Sequence, residues 1–158
     1  MILYEHMSQE NISLRRATVE DIGSILEVEK SVIGTKIYSG LAGRDDTVKE
    51  ITENVFYLIL KDGKIVGDIA YEMKDENTAY ISGLAVGKEF QRQGIARKAM
   101  QMLLEMLKDI EHIGLVTHPE NEKAIGLYKS LGFKQIGLPM ENYFGDGEAR
   151  IKMVLEKR

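Results

Sequence analysis

The chain's most informative chemistry lies where an apolar run ends in the polar stretch Gln91-Arg92-Gln93-Gly94-Ile95-Ala96-Arg97 and a helical pattern begins. Gly94 and Ala96 carry almost no side chain, so backbone N–H groups there can approach an anion closely. A helix starting at Ile95 adds unsatisfied donors and the positive end of its dipole. Arg92 and Arg97 bring charge for phosphate oxygens. The spacing predicts a diphosphate site. A phosphate loop ending in Gly-Lys-Ser/Thr and a Gly-x-Gly-x-x-Gly dinucleotide fingerprint are both absent. A basic connection without any ligand is the plain alternative.

The elements that must position this loop follow from apolar periodicity and turn residues. Residues 12–16 read as a first strand. Thr18 then caps a helix, with Asp21 in the capping-box position. That helix directs Ile22, Ile25, Leu26 and Val28 to a core and Glu20, Glu27 and Glu29 to water. Residues 34–46 are loop-like, and a short helix spans about 47–54. Two β-rich runs, 56–60 and 65–71, flank Asp62-Gly63 and predict a hairpin. Asn77 turns the chain into a third antiparallel strand, 78–86, which feeds the loop. A helix over 95–110 follows, with Ala99, Met102, Leu103, Met106 and Leu107 at helical spacing. Then come a strand at 113–117, a helix at 121–131 and closing strands at 133–138 and 150–155. The order is β-α-α-β-β-β-α-β-α-β-β, a mixed α+β sheet with helices on both faces.

Composition narrows the chemistry. With 158 residues, 44% hydrophobic and 29% charged, the chain suits one globular domain, expected over 12–158 after a poorly ordered extension at 1–11. Cysteine is absent, which excludes thiol nucleophiles, disulfides and thiolate zinc sites. His6, His112 and His118 have no metal-ligand spacing, so no metal is expected. No apolar run is long enough to span a membrane, and the start does not resemble a signal peptide, so a cytoplasmic location is expected. The net charge of −4 disfavours nucleic acid and is compatible with a cationic small molecule or peptide.

The loop also has a downstream companion, Asn121-Glu122-Lys123-Ala124-Ile125-Gly126-Leu127-Tyr128-Lys129-Ser130-Leu131-Gly132-Phe133. Residues 91–96 resemble the Gln/Arg-x-x-Gly-x-Gly/Ala signature of the GNAT superfamily of N-acetyltransferases, and 121–133 resembles its Asn-x-x-Ala-x-x-Leu-Tyr-x-x-x-Gly-Phe segment. The resemblance covers about residues 12–156 and implies a mostly antiparallel sheet of about seven strands, with the fourth and fifth splayed apart. It implies acetyl-CoA as donor. Gln91, Arg92, Gln93, Gly94, Ile95, Ala96 and Arg97 would take its pyrophosphate. Leu84, Ala85 and Val86 would pair with the pantetheine arm like an added strand, and Asn121 would bond a pantetheine amide. Tyr128 would protonate the leaving thiolate. A phenol of reference pKa about 10 keeps its proton at pH 7 and can yield it to a thiolate of about 8.5. The plain alternative is that Leu127 and Tyr128 only pack the helix.

The acceptor side is less defined. Residues 140–153, with Asn142-Tyr143-Phe144 and Asp146-Gly147, resemble the closing loop of ribosomal-protein N-terminal acetyltransferases, which implies that Tyr143 contacts the acceptor. A simple hairpin turn is the other reading of Gly145-Asp146-Gly147. The family's usual basic carboxylates have no counterpart, since Val116 and Tyr80 stand at those positions. A free α-amine needs only about 1 kcal/mol to be neutral at pH 7 and a lysine about 4–5 kcal/mol, so a low-pKa amine or a water relay is favoured. Tyr80, Ser82, His118 and Glu72 are the candidate anchors, with Glu72 also placed toward the acceptor. The expected activity is direct acetyl transfer to a primary amine, a peptide N-terminus or a small molecule, by a monomer or homodimer. A non-catalytic acetyl-CoA-binding sensor or scaffold is the alternative.

Overall fold

The computed structural model describes residues 11–33, 37–38, 40–41 and 43–157. The expected extension at 1–11 falls, but for Asn11, outside the described residues, as do parts of the loop expected over 34–46. Eleven regular elements follow in chain order: β1 (Ile12–Arg16), α1 (Ile22–Lys30), α2 (Arg44–Glu53), β2 (Val55–Lys61), β3 (Lys64–Asp75), β4 (Thr78–Val86), α3 (Ile95–Met106), β5 (His112–Thr117), α4 (Glu122–Ser130), β6 (Lys134–Met140) and β7 (Arg150–Glu156). They build a seven-stranded sheet in the order β1-β2-β3-β4-β5-β7-β6. Every neighbouring pair is antiparallel except β4 and β5. The expected mixed, mostly antiparallel sheet is the one observed.

Local chemistry explains the joints. Asp62 and Gly63 both take positive φ, 50° and 82°, the requirement of the tight turn that matches strand twist. The Asp21 carboxylate accepts from the Thr18 N–H at 2.8 Å and from the Arg15 guanidinium at 3.1 Å, fixing the entry to α1. The arginine lowers the Asp21 pKa. At Gly67 the strands β3 and β4 approach so closely that an added Cβ would lie 2.3 Å from the Ala85 carbonyl oxygen.

Apolar side chains close both faces. Ile59, Val66 and Ile69 pack with Ile95, Ala99, Met100, Leu103 and Tyr128 of α3 and α4. On the other face Phe56, Leu58 and Ala70 pack with Ile25 of α1 and Ile51 of α2.

Three expectations need correction. Glu29 is not on the solvent face of α1 but buried, 1% exposed. Its separations of seven from Ile22 and four from Ile25 put it on the same stripe at 3.6 residues per turn. In α3 the buried row is Ile95, Ala99 and Leu103 with Met100, continued by Leu107 just past its end, while Met106, in the last turn, is 50% exposed. The helix also ends at Met106 rather than Ile110. There Lys157, just past β7, donates its ammonium to the Leu107 carbonyl at 2.7 Å, which also accepts from the Ile110 N–H at 2.9 Å. Among the described residues no helix is long and apolar enough to cross a membrane.

Candidate active site

The site is built on a fork. β4 pairs with β5 only through Thr78, Ala79 and Tyr80 against His112, Ile113 and Gly114, after which the strands part. On its other edge β4 stays paired with β3, with a register shift that leaves Ser82 as the extra residue between Ile81 and Gly83. Such a bulge bends a strand and raises its local twist. The second half of β4, Leu84 to Val86 included, thus offers backbone groups to the gap.

The loop after β4 is ordered by its own side chains. Gln91 donates Nε2 to the Val86 carbonyl at 3.0 Å, folding the loop back on the strand. Gln93 instead turns outward and accepts from Lys61 Nζ at 2.6 Å, and it does not line the cleft. Arg92 and Gly94 take positive φ, 65° and 76°, and Gly94 is the cap of α3. A cleft of about 570 Å³ lies against this helix start, lined among others by Val86, Arg92, Ala96, Arg97, Asn121 and Tyr128. Ile95 contributes backbone there, its side chain being buried in the core. Lys123 also lines the cleft. Sequence reasoning passed over this third cation because it falls at a variable position of its motif.

At the mouth of the fork, Asn121 caps α4. Its Oδ1 accepts from the Ala124 N–H and its Nδ2 donates to Thr117 Oγ1, both at 3.4 Å. These bonds are long. Tyr128 sits behind it, buried against Phe133 with ring centroids 5.9 Å apart. Burial pushes its phenol up to about 12.

Continuous with this point is a cavity of about 200 Å³ on the α1–α2 side of the sheet, lined by Tyr80, Ser82, His118, Asn121 and Tyr128 together with Glu29, Tyr38, Glu50, Asp68 and Phe144. The structure brings these first five, all sequence-predicted, to one cavity, but the state of the candidate bases limits them. His118 accepts from the Glu120 N–H at Nδ1, 3.0 Å, so its ring proton is on Nε2, which faces Glu148 Oε1 at 2.8 Å. Its one lone pair is therefore committed to the backbone rather than to the cavity. The same tautomer bears on the cluster His118, Glu120 and Glu148, whose ligand atoms lie within 4.8 Å of one another. Ligation at Nε2 would put the ring proton on Nδ1, against the Glu120 N–H that Nδ1 now accepts from, so this tautomer is not the metal-binding one. Tyr80 is raised to about 12, chiefly by burial and then by Tyr143, Glu72 and Glu50. It remains a proton donor at neutral pH.

Glu72 and Tyr143 lie elsewhere. Glu72 pairs with Lys74 at 3.3 Å on the outer part of β3. Tyr143 packs edge-on against Phe144, 4.9 Å between centroids, and lines a separate groove with Tyr80 and Lys152. Phe144 faces the cavity in its place, with the Arg150 guanidinium 5.1 Å from its ring centre. Arg150 is bound to Asp146 at 2.9 Å.

The residues missed from sequence are the acidic ones. Asp68 projects from β3, opposite Leu58 on one side and Ala85 on the other, and is 2% exposed. Glu29 reaches it from α1 and accepts from the Tyr38 hydroxyl at 2.9 Å. Burial raises both carboxyl pKa values, Asp68 well above its ordinary value, and the hydrogen bond between the two raises Asp68 while lowering Glu29. Both carboxyls are thus driven toward the protonated form, and they meet with a proton shared between them. Asp68 Oδ2 has no partner. Glu50 of α2 stands nearby, accepting from Asn54 at 2.8 Å and Ser82 at 3.4 Å. A signal existed: an aspartate inside the apolar run Ile65-Val66-Gly67-Asp68-Ile69-Ala70 is out of place in a strand.

A fork beside a glycine-capped helix start, with asparagine and tyrosine at its mouth, matches the arrangement implied by the two motifs. The sequence model of the acetyltransferase (GNAT) family matches residues 25–133. The chain belongs to this family. An N-alpha-acetyltransferase of Sulfolobus acidocaldarius is 28% identical over 153 residues, covering 87% of this chain and 88% of that protein. The UPF0157 protein YqkA of Bacillus subtilis is 32% identical over 109 residues; the match takes in 68% of this chain but only 31% of that longer protein. The fold is also that of the ribosomal-protein-S18-alanine N-acetyltransferase of Escherichia coli, with a TM-score of 0.77 at 20% identity over 92% of this chain and 94% of the other.

Proposed function

We propose that the protein is an acetyl-CoA-dependent N-acetyltransferase that passes the acetyl group directly to a primary amine. The observation that carries this reading is the cavity joining the fork at Asn121 and Tyr128: the cleft on one side suits the donor and the space on the other suits the acceptor. The residues present fit the donor. Backbone amides of residues 92–96, with Arg92, Arg97 and Lys123 around them, can take a diphosphate, and the open half of β4 can pair with a pantetheine amide as an added strand. Bound acetyl-CoA supplies a thioester carbonyl as the electrophile.

The chain's own groups do the rest. Asn121 exchanges its two long bonds for a donor amide. Tyr128 stays protonated across the neutral range; at about 12 its phenol is a weaker acid than a thiol of reference pKa about 8.5, so it hands its proton to the departing sulfur only as the attacking nitrogen gives up its own, and that proton restores the phenol. The amine must arrive neutral or lose its proton inside the cavity, where neither His118 nor Tyr80 has a free basic lone pair. The test is calorimetry with coenzyme A against ATP. Heat from coenzyme A alone supports the donor site; equal heats, or heat from ATP alone, overturn it. Thiol release on adding an amine then separates catalysis from a binding module.

A further inference from the structure

The acceptor cavity has a floor whose chemistry is more specific than amine transfer requires. Asp68 and Glu29 meet there with one proton between them, so the pair carries one negative charge. Glu50 adds a second carboxylate charge at the wall. Among the described residues no cation forms an ion pair with Glu29, Asp68 or Glu50; the one arginine lining the cavity, Arg150, is held by Asp146. Glu29 is fully engaged, by Tyr38 and by Asp68. Asp68 Oδ2, however, is a buried acceptor with no donor. Buried polar atoms left so are rare, because an unmade hydrogen bond costs more than a made one returns. An orphaned carboxyl oxygen in an acidic cavity calls for a cationic N–H donor.

We propose that the Glu29–Asp68 pair is a subsite for a second cationic nitrogen on the acceptor, so that the preferred acceptor is a compact aliphatic diamine rather than a monoamine. This rests on the acetyl-transfer reading. The reacting amine lies toward Tyr128 at the fork, while the far ammonium donates to Asp68 Oδ2 and lies within the field of Glu29 and Glu50. Size agrees. A cavity of about 150 Å³ holds a six-carbon ring, so about 200 Å³ takes a chain of a few carbons with a nitrogen at each end. Gly40 adds to the shape: its φ is +54°, and a Cβ there would lie 2.5 Å from the Tyr38 ring and 3.0 Å from Glu29 Oε2, so only glycine lets this segment close on the pair.

The experiment compares α,ω-diamines of three to six carbons with monoamines of equal length at saturating acetyl-CoA, following thiol release. Diamines should show kcat/KM about 10- to 100-fold higher, expressed mainly in KM, the range expected for a charge-assisted hydrogen bond in a buried site. Asp68→Asn keeps a donor for Glu29, and should bring the diamine-to-monoamine ratio near one. A ratio that stays high in the variant, or equal rates for both series in the natural protein, overturns the subsite. So does a variant that lowers kcat for both series alike, which would make the pair a proton acceptor. A binding readout keeps the two readings separable. With coenzyme A present, a diamine should raise the melting temperature of the natural protein but not of Asp68→Asn, and a monoamine of equal length should raise neither. Thiol release with monoamines but no such shift overturns the subsite alone. A shift without release from any amine upholds the subsite and overturns the transfer.

Discussion

Replacing Asp68 with asparagine should stabilise the protein at neutral pH and lose that advantage as the solution is acidified. The Asp68 pKa is raised by burial first, then by the Glu29 charge, the hydrogen bond with Glu29 and the charge of Glu50. In the unfolded chain the group titrates near its ordinary value of 3.8. Between that pH and the raised folded value, the native protein keeps a proton that the unfolded chain has released. Stability therefore falls as pH rises through this window, by up to about 1.4 kcal/mol per pH unit for one group. The asparagine amide of the variant donates to Glu29 without titrating, so the variant lacks this slope. The other groups facing the site are Glu29 of α1, Glu50 of α2 and the Tyr38 hydroxyl. Glu29 is raised mainly by its own burial, so it shifts both proteins in the same direction. Urea unfolding between pH 4 and pH 8 measures the difference. It should be small at pH 4 and widen by about 1 kcal/mol per unit before levelling, which is about 2–4 °C in melting temperature for each kcal/mol at this chain length. A difference independent of pH, or a variant less stable at pH 7, would refute the protonated pair.

Other outcomes follow from the same geometry. Tyr128→Phe removes the phenol but keeps the ring against Phe133, so turnover should fall about 100-fold or more while the dissociation constant for coenzyme A, read by calorimetry, changes less than about twofold. With Tyr128 protonated up to about 12, the natural enzyme should also show no loss of turnover from this group on the alkaline side up to pH 10. Gly67→Ala places a Cβ on the Ala85 carbonyl and should lower unfolding free energy by about 1–3 kcal/mol, and weaken coenzyme A binding through the displaced β4. Arg97→Ala and Lys123→Ala should each raise the dissociation constant for coenzyme A about tenfold, with smaller effects at high salt.

Much of this was legible in the sequence where local rules act alone. Asp62-Gly63 specified its hairpin, Thr18 and Asp21 the first cap, and residues 91–97 the turn from strand to helix, because each depends on neighbours a few positions away. The fork came from the resemblance rather than from any residue pattern, since where β4 leaves β5 is a property of two strands distant in sequence. The acidic floor was lost for a similar reason. Glu29 was assigned to water by residue type although its helical spacing put it inside, and a buried carboxylate is tolerated only by a partner, Asp68, that lies 39 positions away. His118 carried the right type for a base, but its role turns on a tautomer set by the Glu120 backbone and by Glu148, which no single-residue argument could supply. Which of the adjacent rings Tyr143 and Phe144 lines the cavity depends on the path of the loop, with Asn142 at φ 47°, and not on residue type alone.

The central claim, direct acetyl transfer to an amine across the β4–β5 fork, is tested most directly by incubating the protein with acetyl-CoA and a panel of α-amino peptides, monoamines and diamines, then weighing both products and protein. The account predicts thiol release that depends on the acceptor, one acetyl group gained by an amine, and no acetyl group left on the protein. Coenzyme A binding with no acetylated amine across the panel, or an acetylated protein that later yields the product, would contradict it.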